Sequence, residues 1–202
     1  MPDRITPNSV VLGFDTSAAH CAAALLRGDT VLAAAHEDMT KGQAERLMPM
    51  LEELLAGAGL SWRDLDVIGV GTGPGNFTGI RMAVAAARGL ALSLGIPAIG
   101  VEAPEALACG LARPCRVVIA GRGDMVTWQD FAEREKEGRP QQAATGALPP
   151  GPAPAVPAVG IAEGVARLAA DRAHLPQPRP APVYLRPADA APGRGAPPVI
   201  LA

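Results

Sequence analysis

The chain has 202 residues, of which 49% are hydrophobic, and a formal net charge of -2. This length and apolar content predict a globular protein of one domain or two small ones. Lys and Arg form no cluster, which argues against a chain that binds nucleic acid on its own. The three cysteines form no C-x-x-C pair, which indicates neither a disulfide framework nor a zinc site. We expect no targeting segment, no membrane span and a cytoplasmic location.

Short apolar runs separated by turn residues predict three hairpin-connected strands, at residues 10–14, 21–26 and 31–35. The segment QAERLMPMLEELLAGAG predicts a first long helix, because its leucines recur with helical spacing. Pro49 leaves two interpretations: the helix begins near Leu47, or it begins near Lys41 and bends at the proline, which we favour slightly. A strand at residues 67–71, a second long helix and a strand at residues 98–101 complete a mixed sheet with helices on its faces.

The second half of the chain carries weaker signals. PEALACG predicts a short helix, RVVIAGRGDMVTWQDFA a hairpin that turns at residues 121–124, and GIAEGVARLAADRA a further helix. Fourteen of the 21 prolines lie from Pro140 onward, so we expect LPPGPAPAVPAV to be an extended, poorly ordered or edge-running connector. We therefore predict an N-terminal domain at residues 1–101 and a reduced, Pro- and Ala-rich domain at residues 102–202.

The sequence FDTS places Asp15, Thr16 and Ser17 in a turn between the first two strands. Such a turn can aim a carboxylate at a metal-bound phosphate while its hydroxyls and backbone N–H groups reach the phosphate oxygens. The alternative is a turn that caps itself through side-chain hydrogen bonds. Without further context we favour the self-capped turn.

A glycine loop, residues 71–79 with the sequence GTGPGNFTG, follows an apolar run and opens into the second long helix. Thr78 is the predicted cap, and a helix N-terminus attracts anions. Neither G-x-x-x-x-G-K-[ST] nor G-x-G-x-x-G fits the spacing. The alternative is that Gly73 and Gly75 let a tight connection pass close to another element, and the spacing leaves the two readings even.

The second long helix, residues 80–94, is apolar almost all round and rich in alanine, which indicates a cover besides the sheet. With the leucine stripe of the first helix it predicts an apolar patch that another protein covers. The alternative is that the C-terminal half folds back over this patch. The residues predicted to form the contact are Leu47, Met48, Leu51, Leu54, Leu55, Ile80, Ala83, Ala87 and Leu90.

The motifs VLGFDTS, ERLMPMLEELL, GTGPGNFTGIRMAVAAARGLALSLGIPAIGV and, near the end, PVYLR resemble the bacterial TsaB family, also called YeaZ. The resemblance is dense over residues 10–101, patchy to residue 131, and returns at residues 182–186. It implies an α/β actin-like ATPase fold of the sugar kinase, Hsp70 and actin superfamily, which is ribonuclease H-like. The implied N-terminal lobe is complete and the C-terminal lobe is reduced.

The resemblance also implies a noncatalytic scaffold or activator that docks the catalytic subunit TsaD through a helical bundle. The complex, which includes the ATPase TsaE, forms N6-threonylcarbamoyladenosine at position 37 of tRNAs that read codons beginning with A. On this basis the chain reaches tRNA only through the complex, and it can form a homodimer when alone.

Several positions depart from the pattern of this family and its relatives. The His-x-x-x-His metal motif of the catalytic relative falls on Ala103 and Leu107, and the aspartate of an IDAR motif falls on Ala120. Gln43 stands where many relatives have histidine. We therefore predict no catalytic residue, no metal site and no cofactor that this chain requires. A weak, vestigial pocket for ATP or ADP at a composite interface would use Asp15, Thr16, Ser17, Gly73 and Gly75.

An alternative function is a small ATPase or kinase of the same fold that uses Asp15 and the glycine loop. A metalloprotease, a third idea, fails because His20, His36 and His174 lack the spacing of a ligand set. Nucleotide turnover by the isolated chain separates the ATPase from the scaffold.

Overall fold

The larger of two sheets has five strands, and the hairpins predicted at its start are confirmed. The computed structural model describes residues 8–133 and 138–185. Within them the strand order is β3-β2-β1-β4-β5, with β2 antiparallel to β1 and β3, and with β4 and β5 parallel to β1. The strands are β1 (Val10–Asp15), β2 (His20–Arg27), β3 (Thr30–Asp38), β4 (Val67–Gly71) and β5 (Ala98–Val101).

Helices cover both faces of this sheet. Alternate residues of a strand point to opposite faces, so Leu12 and Phe14 of β1 join the core beneath α1 (Gln43–Gly57) and α2 (Phe77–Leu94). Val11 joins the opposite core, with α3 (Ala103–Leu107) and α4 (Ile161–Arg172). A Cβ at Gly13 would lie 2.6 Å from the carbonyl oxygen of Ala162, so this glycine lets α4 pack directly on the sheet.

The first long helix starts closer to Lys41 than to Leu47, as the second interpretation has it, and the bend at Pro49 stays a prediction. It begins at Gln43, so Pro49 lies inside it. The Gln43 side chain is buried and donates a 2.9 Å hydrogen bond to the carbonyl oxygen of Met39, which ties the helix start to the preceding turn. Arg46 joins α1 to β3 through Glu37 and also pairs with Glu53. These ion pairs hold the pKa of both carboxyl groups below the ordinary value.

The second sheet contains the predicted hairpin and a strand that the sequence did not predict. Its order is β6-β7-β8, with β6 (Cys115–Ala120), β7 (Met125–Phe131) and β8 (Gln141–Ala144). The proline-rich connector runs beside β6, one of its predicted alternatives, because Pro154 forms an isolated parallel bridge with Arg116. The Arg116 guanidinium donates to the Pro149 carbonyl oxygen at 2.7 Å, and the Ala155 N–H donates to the Arg116 carbonyl oxygen at 2.8 Å.

The core of the larger sheet draws on both predicted domains, because α4 comes from residues 102–202 and packs on β1, β2 and β4. The C-terminal half thus covers the face opposite α1 and α2. One helix of the described residues, Phe77–Leu94, is long and apolar enough to cross a membrane by length and composition alone. The inner side of this helix belongs to the core of the protein. Core helices can have the same length and composition as helices that cross a membrane.

Candidate functional site

The D-T-S turn lies at the carboxyl end of β1, and its aspartate is fully buried. One carboxylate oxygen of Asp15, Oδ1, accepts hydrogen bonds from the Ser17 N–H at 2.9 Å and the Ser17 hydroxyl at 2.8 Å. His20 Nε2 lies 2.7 Å from the same oxygen. The other oxygen, Oδ2, is buried and has no hydrogen-bond partner among the described residues. The turn therefore caps itself through Oδ1, as the favoured interpretation predicts. Oδ2 takes no part in this capping.

The glycine loop closes directly on this turn. The Asn76 N–H donates to the Ser17 carbonyl oxygen at 2.6 Å, and the Thr16 hydroxyl donates to the Gly79 carbonyl oxygen at 2.8 Å. Added Cβ atoms at Gly75 and Gly79 would each lie 2.0 Å from a carbonyl oxygen of the turn, which no real side chain tolerates. These glycines therefore permit close backbone packing.

The predicted nucleotide-site residues are brought together, and most of them are covered. The Gly71 position faces Asp15 Oδ2, since an added Cβ there would meet this atom at 1.8 Å. Gly73 has φ of +89° and packs against Ile80, whereas Gly75 is exposed. The buried members of the predicted set are Asp15, Thr16, Ser17 and Gly73.

The second long helix is capped by Asn76, so the prediction of Thr78 as its cap is wrong. The helix begins at Phe77, and the Asn76 side-chain oxygen accepts from the Thr78 and Gly79 N–H groups at 3.0 and 3.3 Å. A side chain of this chain therefore already binds two of the N–H groups that an anion would seek.

Residues 180–185, which we call the strap, run back across the glycine loop. The Val183 N–H donates to the Thr72 carbonyl oxygen at 2.8 Å, and Pro180 is buried beside Gly100. The Tyr184 hydroxyl accepts from Arg81 Nε of α2 at 2.9 Å. Through Val183 and Tyr184, the PVYLR motif therefore binds the end of the described chain to the glycine loop and to the start of α2. Arg186, its last residue, lies outside the described residues.

Most of the predicted contact residues are buried within the protein in this structure. In this structure seven of the nine residues lie between the helices and the sheet, where a partner cannot reach them: Leu47, Leu51, Leu54, Leu55, Ile80, Ala83 and Ala87. Met48 is 36% exposed, and Leu90 is partly buried. The most apolar side of each helix faces the protein's own core, because it covers the apolar face of the sheet.

The outward sides of α1 and α2 still carry large apolar groups. Leu92 is 86% exposed and Phe77 is 38% exposed on α2, and Met48 of α1 lies on the same layer of the protein. Arg81 and Arg88 are exposed on α2, and neither forms an ion pair with a described residue. We call the exposed sides of these two helices the outer helix face.

No group of three or more potential metal ligands exists among the described residues. Ala103 begins α3, Leu107 ends it, and Ala120 ends β6. The rings of His20 and His36 lie 5.0 Å apart across β2 and β3, and each contacts an aspartate, Asp15 or Asp38. Both histidines thus have local partners.

Sequence reasoning missed three features of the site. His20 as the partner of Asp15 carries no sequence signal, because hairpin geometry alone brings it there. Asn76 was visible, since asparagine just before an apolar helix is a favoured cap. Tyr184 was noticed only within a motif, and its contact with Arg81 joins residues 103 positions apart.

The sheet order, with helices on both faces and a turn at the end of β1, defines an α/β protein with the actin-like ATPase fold. A family model described as "TsaD: tRNA N6-adenosine threonylcarbamoyltransferase" matches residues 36–148, which is more than half of the chain. The chain belongs to this family and, within it, to the TsaB/YeaZ group, as the following relatives indicate.

The chain is 34% identical over 134 residues to the tRNA threonylcarbamoyladenosine biosynthesis protein TsaB of Escherichia coli (strain K12), covering 63% of this chain and 57% of that protein. It is 32% identical over 202 residues to the uncharacterized protein Mb3455c of Mycobacterium bovis, and this match covers 91% of this chain and 95% of that protein. The structure of YeaZ from Pseudomonas aeruginosa is 26% identical with a TM-score of 0.65, covering 88% of this chain and 100% of that one. The chain spans about half the length of the first curated TsaB relatives it matches.

Proposed function

We propose that this chain is a noncatalytic subunit in the biosynthesis of threonylcarbamoyladenosine in tRNA. In this proposal it docks a TsaD-type catalytic subunit through the outer helix face, fixes that subunit in a competent arrangement and supplies no reacting group. In this proposal TsaE acts in the same complex, and the chain contacts tRNA only through that complex. On its own, the chain forms no assembly larger than a homodimer. The proposed location is the cytoplasm.

The observation that carries the proposal is the closed state of the D-T-S site. Asp15 is fully buried, its Oδ1 is saturated by Ser17 and His20, and the start of α2 is capped by Asn76. A nucleotide enzyme of this fold needs an open crevice at the carboxyl ends of the parallel strands. The contacts around Asp15 support a structural use of the motif instead.

Exposed apolar side chains support the outer helix face as the docking surface. Met48, Phe77 and Leu92 are large and exposed, and they lie on two neighbouring helices. The C-terminal half packs through α4 on the opposite face of the sheet. Of the three residues, Phe77 is contacted by Tyr184 of the strap and still remains 38% exposed. A partner that buries these side chains removes their apolar surface from water, which favours association.

Association with the TsaD-type subunit of the same organism tests the proposal. We expect Met48→Glu and Leu92→Glu to weaken binding at least about tenfold, because each buries a charge in an apolar contact. Val156→Glu is the matched control, since Val156 is 84% exposed but lies in the proline-rich connector. Thermal unfolding should be unchanged in all three variants. Equal binding by all three would contradict the proposed surface.

A second candidate, a small ATPase or kinase, is favoured by one observation: Asp15 Oδ2 is buried without a hydrogen-bond partner among the described residues. An unpartnered carboxylate oxygen can bind a cation such as the magnesium ion that accompanies a nucleotide. Hydrolysis of ATP by the isolated chain, dependent on magnesium and abolished in Asp15→Asn, would support this candidate. Absence of turnover with retained activation of the catalytic subunit would support the scaffold.

A further inference from the structure

We propose that the strap completes the docking surface, and that a carboxylate of the catalytic subunit binds Arg81 where the strap meets α2. The inference rests on the proposed function and adds the chemistry of the partner and a route by which docking reaches the glycine loop.

Two aromatic rings hold Arg81 in place, and it has no acidic partner among the residues that the structure describes. Its guanidinium carbon lies 3.8 Å from the centre of the Phe77 ring and 5.9 Å from that of Tyr184, and these rings are 5.0 Å apart. Phe77 and Tyr184 are both 38% exposed. Aromatic faces attract and orient a guanidinium without neutralising its charge.

Among the described residues, the polar contact of Arg81 leaves most of its donors available. Nε donates to the neutral Tyr184 hydroxyl, and no described residue receives a hydrogen bond from the two terminal nitrogens. A planar guanidinium with both terminal nitrogens open fits a carboxylate with two parallel hydrogen bonds. Arg88 lies two helical turns further on and is also exposed without an ion pair to a described residue, so the α2 side of the face favours an acidic partner.

The strap connects this cluster to the glycine loop through neighbouring residues. Tyr184 contacts Arg81, while Val183 donates its N–H to the Thr72 carbonyl oxygen, just after β4. A partner that buries Tyr184 therefore also fixes Val183 on the loop. Binding at the outer helix face should slow the opening of the hydrogen bond between Val183 and Thr72.

Two charge-removing variants test the partner chemistry. We expect Arg81→Gln to weaken binding of the catalytic subunit about tenfold at low salt and to reduce its salt dependence. Arg179→Gln is the matched control, because Arg179 is exposed just before the strap and contacts neither ring. Tyr184→Ala should weaken binding about tenfold, and Tyr184→Phe, which keeps the ring, only a few-fold.

Hydrogen exchange tests the connection to the loop. Residues 180 and 182 are prolines, so a strap peptide contains few amides and the Val183 amide is readily followed. Bound catalytic subunit should slow exchange of this amide several-fold, and Tyr184→Ala should speed it in the free chain. Unchanged exchange on binding would overturn the connection.

The strap and the outer helix face can fail separately. If Met48→Glu loses binding while Arg81→Gln and Arg179→Gln bind alike, the carboxylate contact is wrong and the docking face stands. If Met48→Glu binds normally, the docking face is wrong whatever the strap variants do. If the chain pairs only with a second copy of itself, the assignment of the carboxylate to the catalytic subunit is overturned.

Discussion

Replacing Gly79 with alanine tests whether the glycine loop exists for close packing. The new Cβ would lie 2.0 Å from the Thr16 carbonyl oxygen, and real Cβ contacts essentially never fall below 3.0 Å. The turn and the start of α2 must therefore separate by about 1 Å, which strains the hydrogen bonds from Thr16 to Gly79 and from Asn76 to Ser17. The two hydrogen bonds and the lost packing contribute about 1 kcal/mol each, and the helix preference of alanine returns about 1 kcal/mol, so we expect a loss of about 2 kcal/mol.

The assay is thermal and urea unfolding followed by circular dichroism, with Gly89→Ala as control. Gly89 belongs to the same helix, and an added Cβ there meets nothing within 4 Å. For a chain of this size, Gly79→Ala should lower Tm by roughly 4–8 °C, while Gly89→Ala should raise it by roughly 2–4 °C. Equal Tm values for the two variants would refute the packing role of the loop.

Three further predictions concern other parts of the fold. Arg116→Met leaves Asp130 without its buried partner and should cost about 3–5 kcal/mol of unfolding free energy in urea titrations; recovery in the double variant with Asp130→Leu would attribute the loss to the unpaired charge. Leu51→Glu should prevent stable folding, as judged by circular dichroism, whereas Leu92→Glu should melt like the parent chain, since only Leu51 is buried. Burial, aided by the Glu37 charge, raises the pKa of the Cys21 thiol to about 11, so maleimide at neutral pH should leave Cys21 unlabelled until the chain unfolds; rapid native labelling would contradict its burial.

Local signals predicted most of the element order. The first three strands and the turn between β6 and β7 follow from apolar runs between turn residues, and the structure confirms them. Strand β8 was missed because QQAA has no alternation of apolar and polar residues, and it pairs only because β7 offers a free edge. Long-range pairing of this kind leaves no trace in a short window of sequence.

The side of a helix that faces the core was harder to predict. The second long helix is apolar almost all round, so its sequence does not say which side meets the sheet. The predicted contact residues follow the strongest stripe, and that stripe lies against the strands. A helix that packs on a sheet turns its most apolar side to its own core, and the large apolar side chains that stay exposed here are Met48, Phe77 and Leu92.

The site residues illustrate the same limit. The pocket implied by the family resemblance groups Asp15 with Gly73 and Gly75, and in the structure the turn and the loop do meet. Whether such a meeting leaves room for a phosphate depends on distances of a few tenths of an ångström, which spacing cannot supply. Asn76 could have been recognised as the cap from its residue type, whereas the contact of Tyr184 with α2 required the fold.

Light scattering after size exclusion tests the central claim most directly, with the chain run alone and then mixed with the TsaD-type subunit of the same organism. We predict a mixed complex for the parent chain and for Val156→Glu, and its loss for Leu92→Glu with the monomer still folded. A mixture that elutes as two separate proteins, or a complex that Leu92→Glu and Met48→Glu both leave intact, would contradict the account.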